Sequence, residues 1–196
     1  MLTEEQGKAL LLLARQRIEE HLGIAPRDAD GRELAGEAAQ EKRGVFVTLH
    51  RGGALRGCIG SLAATEPLVD AVKRNAVNAA FHDPRFEPLT AAELADLHVE
   101  VSILTEPQLL PHADADELLR RLRPGIDGVI LQSPGGEQAT FLPQVWQQLP
   151  LPVQFLGHLC RKAGLAENAW RAGKLRIHTY QVQSFEEPRS PGVQHP

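Results

Sequence analysis

Twice along this chain, two β-forming runs stand on either side of a glycine turn, and those pairs constrain the fold more than any other feature. The first pair is GVFVTLH (44–50) and ALRGCIGSL (54–62), joined by Arg51-Gly52-Gly53. The second is IDGVILQS (126–133) and ATFL (139–142), joined through PGGEQ. Connections this short allow only antiparallel pairing, because a parallel crossover needs a dozen or more residues. HVEVSILT (98–105) and KLRIHTYQVQSF (174–185) read as further strands. About six strands in antiparallel hairpins, with helices between them, predict an α+β fold.

The helices are marked by their ends. Thr3 and Gln6 form a capping box, after which Leu10, Leu13, Ala14, Arg17, Ile18 and Leu22 recur at helical spacing up to Gly23. Pro67 opens a second helix with a stripe of Leu68, Val69, Val72, Ala76, Ala79 and Ala80. It must end before Pro84, since a residue preceding proline avoids the α region. Thr90 and Glu93 form another box, opening a short helix. DADELLRRL (114–122), PQVWQQL (143–149) and PVQFLGHLCRKAGL (152–165) read as helical, the last stopped at Gly164. Residues 24–43 are polar and aperiodic and are expected to be a surface loop; residues 186–196 are expected to be a loose tail.

Composition narrows the functions. A net charge of −4 and pI near 6.1 give no electrostatic footprint for nucleic acid or an anionic membrane. No apolar run approaches the roughly 18 residues of a membrane span. The apolar patch near the N-terminus follows acidic residues and precedes no small-residue cleavage site, so it reads as an amphipathic helix. Cys58 and Cys160 stand far apart in no paired motif, which suits a reducing cytoplasm. No P-loop, GxGxxG, GxSxG, HExxH or Cys-x-x-Cys is present, so no cofactor or metal is expected.

Two stretches stand out. In LRGCIGSL, strict strand alternation puts Leu55, Gly57 and Ile59 on one face and Arg56, Cys58 and Gly60 on the other. An arginine beside a cysteine favours the thiolate, and glycines within a strand mark a bulge or a close approach by a ligand or another backbone. The same cysteine could equally be a small buried hydrophobe. In FHDPRFEPL (81–89), Pro84 and Pro88 hold their preceding residues extended, making a rigid turn that carries His82, Asp83 and Arg85. That turn either aims a carboxylate and a guanidinium at a ligand or is an Asp–Arg pair that holds the loop. On the 98–105 run, Glu100 and Ser102 share a face with His98 and Leu104. Glu100 there is a candidate general base or part of a solvated face. The candidate catalytic residues are therefore Cys58 and Glu100; the candidate ligand-binding residues are Arg56, Gly57, Gly60, Asp83, Arg85 and Ser102. A Cys58–His82–Glu100 constellation would need contacts that sequence spacing cannot supply.

GVFVTLHRGGALRGCIGSL resembles the signature of the AMMECR1 domain family, whose hallmark is LRGCIG. AFHDPRFEPL, VEVSIL, GIDGVIL, ATFLPQVW and RKAGL followed by Trp170 agree in order, across about 44–185. The short N-terminus and length are similar to the bacterial branch, AmmeMemoRadiSam system protein A. The resemblance implies one α+β domain over 1–185 with two lobes, the larger an antiparallel sheet flanked by helices and the second smaller, and LRGCIG near a cleft between them. It implies Memo-like and radical SAM proteins as partners and carries over no established activity. The expected role is a non-catalytic accessory component; the alternative is an enzyme or small-molecule site using Cys58 and Arg56. Glu87 departs from the family pattern, where proline is frequent, and His82 and Cys160 lie outside it.

Overall fold

The computed structural model describes residues 1–25 and 37–188. In chain order the elements are α1 (Glu4–His21), α2 (Glu37–Gln40), β1 (Val45–Arg51), β2 (Ala54–Ser61), α3 (Leu68–Phe81), β3 (Leu97–Leu104), β4 (Gln108–Leu109), α4 (Ala115–Arg121), β5 (Gly128–Gln132), β6 (Gln138–Phe141), α5 (Pro152–Lys162), β7 (Arg176–Tyr180) and β8 (Val182–Glu186). Short 3-10 turns occur at Ala91–Asp96, Pro143–Gln147 and Ala169–Ala172. The fold is α+β, with antiparallel sheets and helices packed on them. No helix among the described residues is long and apolar enough to cross a membrane.

The chain forms two compact units, one of Met1–Leu104 together with the chain from Gln183, the other of Thr105–Val182. The first is built on a sheet ordered β2-β1-β3-β8. Alternation along β1 decides its two faces. Val45, Val47 and Leu49 are buried with Val99, Val101 and Ile103 of β3 against Leu10, Ala14 and Ile18 of α1 and Val72, Ala76 and Ala79 of α3. The opposite face carries Phe46, Thr48 and His50. α1 begins as its capping box requires: Thr3 Oγ1 accepts the Gln6 amide at 3.2 Å, and Gln6 Oε1 accepts the Thr3 amide at 2.8 Å. α3 ends at His82, ahead of Pro84.

The second unit has a sheet ordered β4-β7-β5-β6. Val129, Leu131, Ala139 and Ile177 pack with Leu118 of α4 and Phe155, Leu156 and Leu159 of α5. Trp146 stacks on Phe155 with ring centroids 3.7 Å apart, and its Nε1 donates to Asp127 O.

Four expectations are revised. The single strand over 174–185 is two strands, β7 and β8, in different sheets. The break falls at Gln181, whose amide donates to Thr105 Oγ1 and whose carbonyl accepts the Thr105 amide. PQVWQQL makes a 3-10 turn rather than a regular helix. In the expected loop 24–43, residues 26–36 lie outside the described residues, while Glu37–Gln40 are helical and Lys42 bridges Pro67. The expected tail is ordered at its start: Glu186 ends β8, and Glu187 bonds to β3 and α1.

Candidate functional site around Cys58 and the Asp83–Arg85 turn

Register places the motif residues. Leu49 pairs with Gly57 and His50 with Leu55, so Arg56 has no partner on β1 and forms a β-bulge. This extra residue breaks the two-residue period and corrects the expected faces. Leu55 joins His50 on the outer face, while Gly57 and Ile59 stay opposite the core residues Leu49 and Val47. Arg56 does not accompany Cys58. Its Nε donates to Glu93 Oε1 at 2.8 Å and its Nη2 to Glu87 O at 2.9 Å. Its Nη1 is buried without a partner among the described residues. Two of the three nitrogens of the Arg56 guanidinium are thus engaged by this chain, and the third is free of a partner among the described residues.

Glu93 gathers these contacts. It accepts from Arg56, from Arg51 Nη1 at 3.1 Å, and from the amide and hydroxyl of Thr90. The hydrogen bond from Arg56 is the largest influence holding its carboxyl down to about 2. Two guanidinium carbons lie over the ring of Phe86, that of Arg56 5.9 Å and that of Arg85 5.4 Å from its centroid.

Cys58 lies opposite Thr48 and turns both backbone groups outward, away from β1. Its amide donates to Asp83 Oδ2 at 2.9 Å, and its carbonyl accepts from Arg85 Nη2 at 3.2 Å. Asp83 Oδ1 takes the Arg85 amide and Nε, and Oδ2 also takes Nη2 at 2.7 Å. The Asp83 side chain is 2% exposed and that of Arg85 53%. Hydrogen bonds from the Arg85 side chain, above all, hold the Asp83 carboxyl well below the usual range. Arg85 is held more firmly protonated first by Asp83 and, more weakly, by Cys58. The guanidinium that bonds to Cys58 is therefore that of Arg85, at the backbone carbonyl.

Outward-facing backbone groups put Cys58 and Thr48 in a non-hydrogen-bonded pair, where side chains approach most closely. Thr48 Oγ1 accordingly donates to Cys58 Sγ at 3.4 Å. Thr48 also lies opposite Glu100 of β3, giving a row Cys58–Thr48–Glu100 across the sheet. The adjoining row is Gly60–Phe46–Ser102. Ser102 Oγ donates to Glu100 Oε1 at 2.9 Å and lies 2.9 Å from Ser184 Oγ. The outer face therefore carries a thiol, hydroxyls and a carboxylate, with Cys58 half-buried and Ser102 buried.

The glycines have packing reasons. A Cβ on Gly57 would stand 2.1 Å from Ala79 O of α3, and one on Gly60 would meet Val45 O at 2.3 Å and the Phe46 ring at 2.4 Å. The close approach expected at Gly57 is to a helix backbone. His82 lies at the end of α3, edge-on to His21 with ring centroids 6.4 Å apart, and no hydrogen bond joins it to Cys58 among the described residues. Cys160 is buried in the second unit's core, where burial pushes its thiol pKa up. Among the described residues, no group of three or more His, Cys, Asp or Glu could hold a metal ion. Sequence reasoning missed Thr48, which the hairpin register alone could have identified. It also missed Glu93 as the partner of Arg56, although the Thr90–Glu93 box marked its position.

The sequence profile of a family described as AMMECR1 matches residues 11–185. A protein of Methanosarcina barkeri is 41% identical over 191 residues, covering 95% of this chain and 93% of that protein. One from Methanocaldococcus jannaschii is 38% identical over 194 residues, covering 95% and 92%. The crystal structure of an uncharacterized protein from Pyrococcus horikoshii aligns with a TM-score of 0.79 at 34% identity, covering 98% of this chain and 96% of that one.

Proposed function

Because the chain belongs to the AMMECR1 family, we propose that it is a non-catalytic accessory protein that associates with Memo-like and radical SAM proteins, as its resemblance to the family's bacterial branch implies. The observation carrying this reading is how the motif's charged groups are used. Asp83 and Arg85 bond to each other and to the Cys58 backbone, while Arg56 bonds to Glu93 and the Glu87 carbonyl. Groups engaged in this way hold a surface in shape; they are poorly placed to move protons or bind a substrate anion. The test mixes the purified chain with a Memo-like or a radical SAM protein from the same genome at native salt. A complex that survives size exclusion with both wild type and Cys58→Ser is expected. No complex with either protein overturns the reading.

A second reading follows from the row Cys58–Thr48–Glu100: a thiol site for a small molecule, with Glu100 as the proton acceptor and Arg85 as the nearby cation. It requires Cys58 to react readily near neutral pH. Iodoacetamide labelling that stays negligible until the pH nears the ordinary thiol value of about 8.5 counts against it.

A further inference from the structure

β2 is an edge strand, and such strands offer unpaired backbone groups to any extended chain. At Cys58 the outward amide and carbonyl are both taken by the Asp83–Arg85 pair. The carboxylate stands in for a neighbouring strand's carbonyl and the guanidinium for its amide. By alternation Gly60 faces the same edge, and no described residue outside the sheet is bonded to it. On the other side of Cys58 the Arg56 bulge interrupts the ladder, which resumes with Leu55 opposite His50.

We propose that the Asp83–Arg85 pair is an edge guard, and that displacing it opens the Cys58–Ser61 segment of β2 to antiparallel pairing with the same segment of a second copy of this chain. The occupant follows from symmetry. An antiparallel strand pairs with its own copy about a two-fold axis using one sequence, so the open edge is self-complementary. The segment Cys58-Ile59-Gly60-Ser61 carries no charge to repel its copy and no proline to block the pairing. The pair also explains the conformation of HDPRF. Pro84 holds Asp83 extended and the turn returns Arg85 to the same carboxylate, so two residues cover both polar groups of one strand position. This inference is independent of the accessory role proposed above.

Sedimentation and light scattering over a concentration series test it, comparing wild type with Arg85→Ala, Asp83→Asn and Asp83→Ala/Arg85→Ala. The double variant is expected to self-associate about tenfold more tightly than wild type or better, a change of about 1.4 kcal/mol. Amide exchange in residues 57–61 should slow as its concentration rises. Arg85→Ala, at an exposed side chain, is expected to shift in the same direction by less. Asp83→Asn keeps an acceptor for the Cys58 amide and should shift least. A double variant with native circular dichroism that associates no more than wild type overturns the proposal. So does association that leaves exchange in 57–61 unchanged. Should the double variant fail to fold, an Arg85→Ala chain that behaves as wild type overturns it equally.

Discussion

The carboxylate of Asp83 accepts the Cys58 amide at 2.9 Å, in the place where a neighbouring strand's carbonyl would stand. That contact joins the turn after α3 to the edge of the sheet, and Asp83, together with Glu93, ties the stability of the first unit to acid pH. The folded Asp83 carboxyl lies well below its ordinary value, with the Arg85 side-chain bonds as the leading cause. A group of this kind adds stability above its unfolded value of about 3.9 and loses it as pH falls toward the folded value. Wild-type stability should therefore decline as pH drops below about 4, and Asp83→Asn should flatten that decline. At neutral pH the substitution should cost about 1–3 kcal/mol. Urea titrations at pH 7 and pH 3 measure both effects; equal loss in the two proteins between those pH values would remove Asp83 from the explanation.

Gly57 should tolerate no side chain. Its missing Cβ would stand 2.1 Å from Ala79 O, and that oxygen belongs to helix backbone that cannot rotate away. Gly57→Ala must push α3 from the sheet, at a cost of about 1–3 kcal/mol or more. Gly53→Ala gives the comparison, since nothing lies within 4 Å and its strain comes from φ +81° instead. A thermal melt of Gly57→Ala matching wild type would show that α3 moves freely.

Much of this architecture could be read from the chain. The glycine turns at 52–53 and 134–137 announced both hairpins, and the Thr3–Gln6 and Thr90–Glu93 boxes announced their turns, because each signal is local. The failures were non-local. KLRIHTYQVQSF alternates without interruption, yet it divides at Gln181 because Thr105, distant in sequence, takes that residue's backbone groups. Arg56 and Cys58 were expected on one face because two-residue periodicity assumes an unbulged strand, and the bulge depends on pairing with Leu49 and His50. The Asp–Arg pairing in HDPRF was legible as one of two readings. Its target, the Cys58 backbone, was not, since only folding brings the turn to that edge.

The two cysteines should separate cleanly on alkylation. Cys58 is half-buried on the outer sheet face, whereas Cys160 is fully buried among Phe155, Leu156 and Leu159 and burial raises its thiol pKa. Native protein treated with excess iodoacetamide should gain one adduct, mapped to Cys58, and denatured protein two. Labelling of Cys160 at the same rate as Cys58 in folded protein would mean that the second unit opens readily.

Glu187 should matter more to stability than a residue just past the last strand ordinarily does. Its carboxylate accepts Arg15 Nη2 at 2.6 Å and the Val99 amide at 2.9 Å, while its own amide donates to Val99 O at 3.0 Å. Arg15 also donates to Leu97 O at 2.7 Å, so one guanidinium links α1, β3 and the chain end. Removing the carboxylate takes from Arg15, 21% exposed, its ion-pair partner, leaving only the more weakly acting Glu19, and leaves the Val99 amide without its acceptor. Glu187→Ala should therefore cost about 1–3 kcal/mol. Arg17→Ala is the control: it removes an i,i+3 pair with Glu20 at an exposed position, where such pairs contribute about 0.5 kcal/mol or less. Denaturant midpoints for the two variants decide the matter. Equal midpoints would mean that the chain end adds nothing beyond an ordinary surface pair.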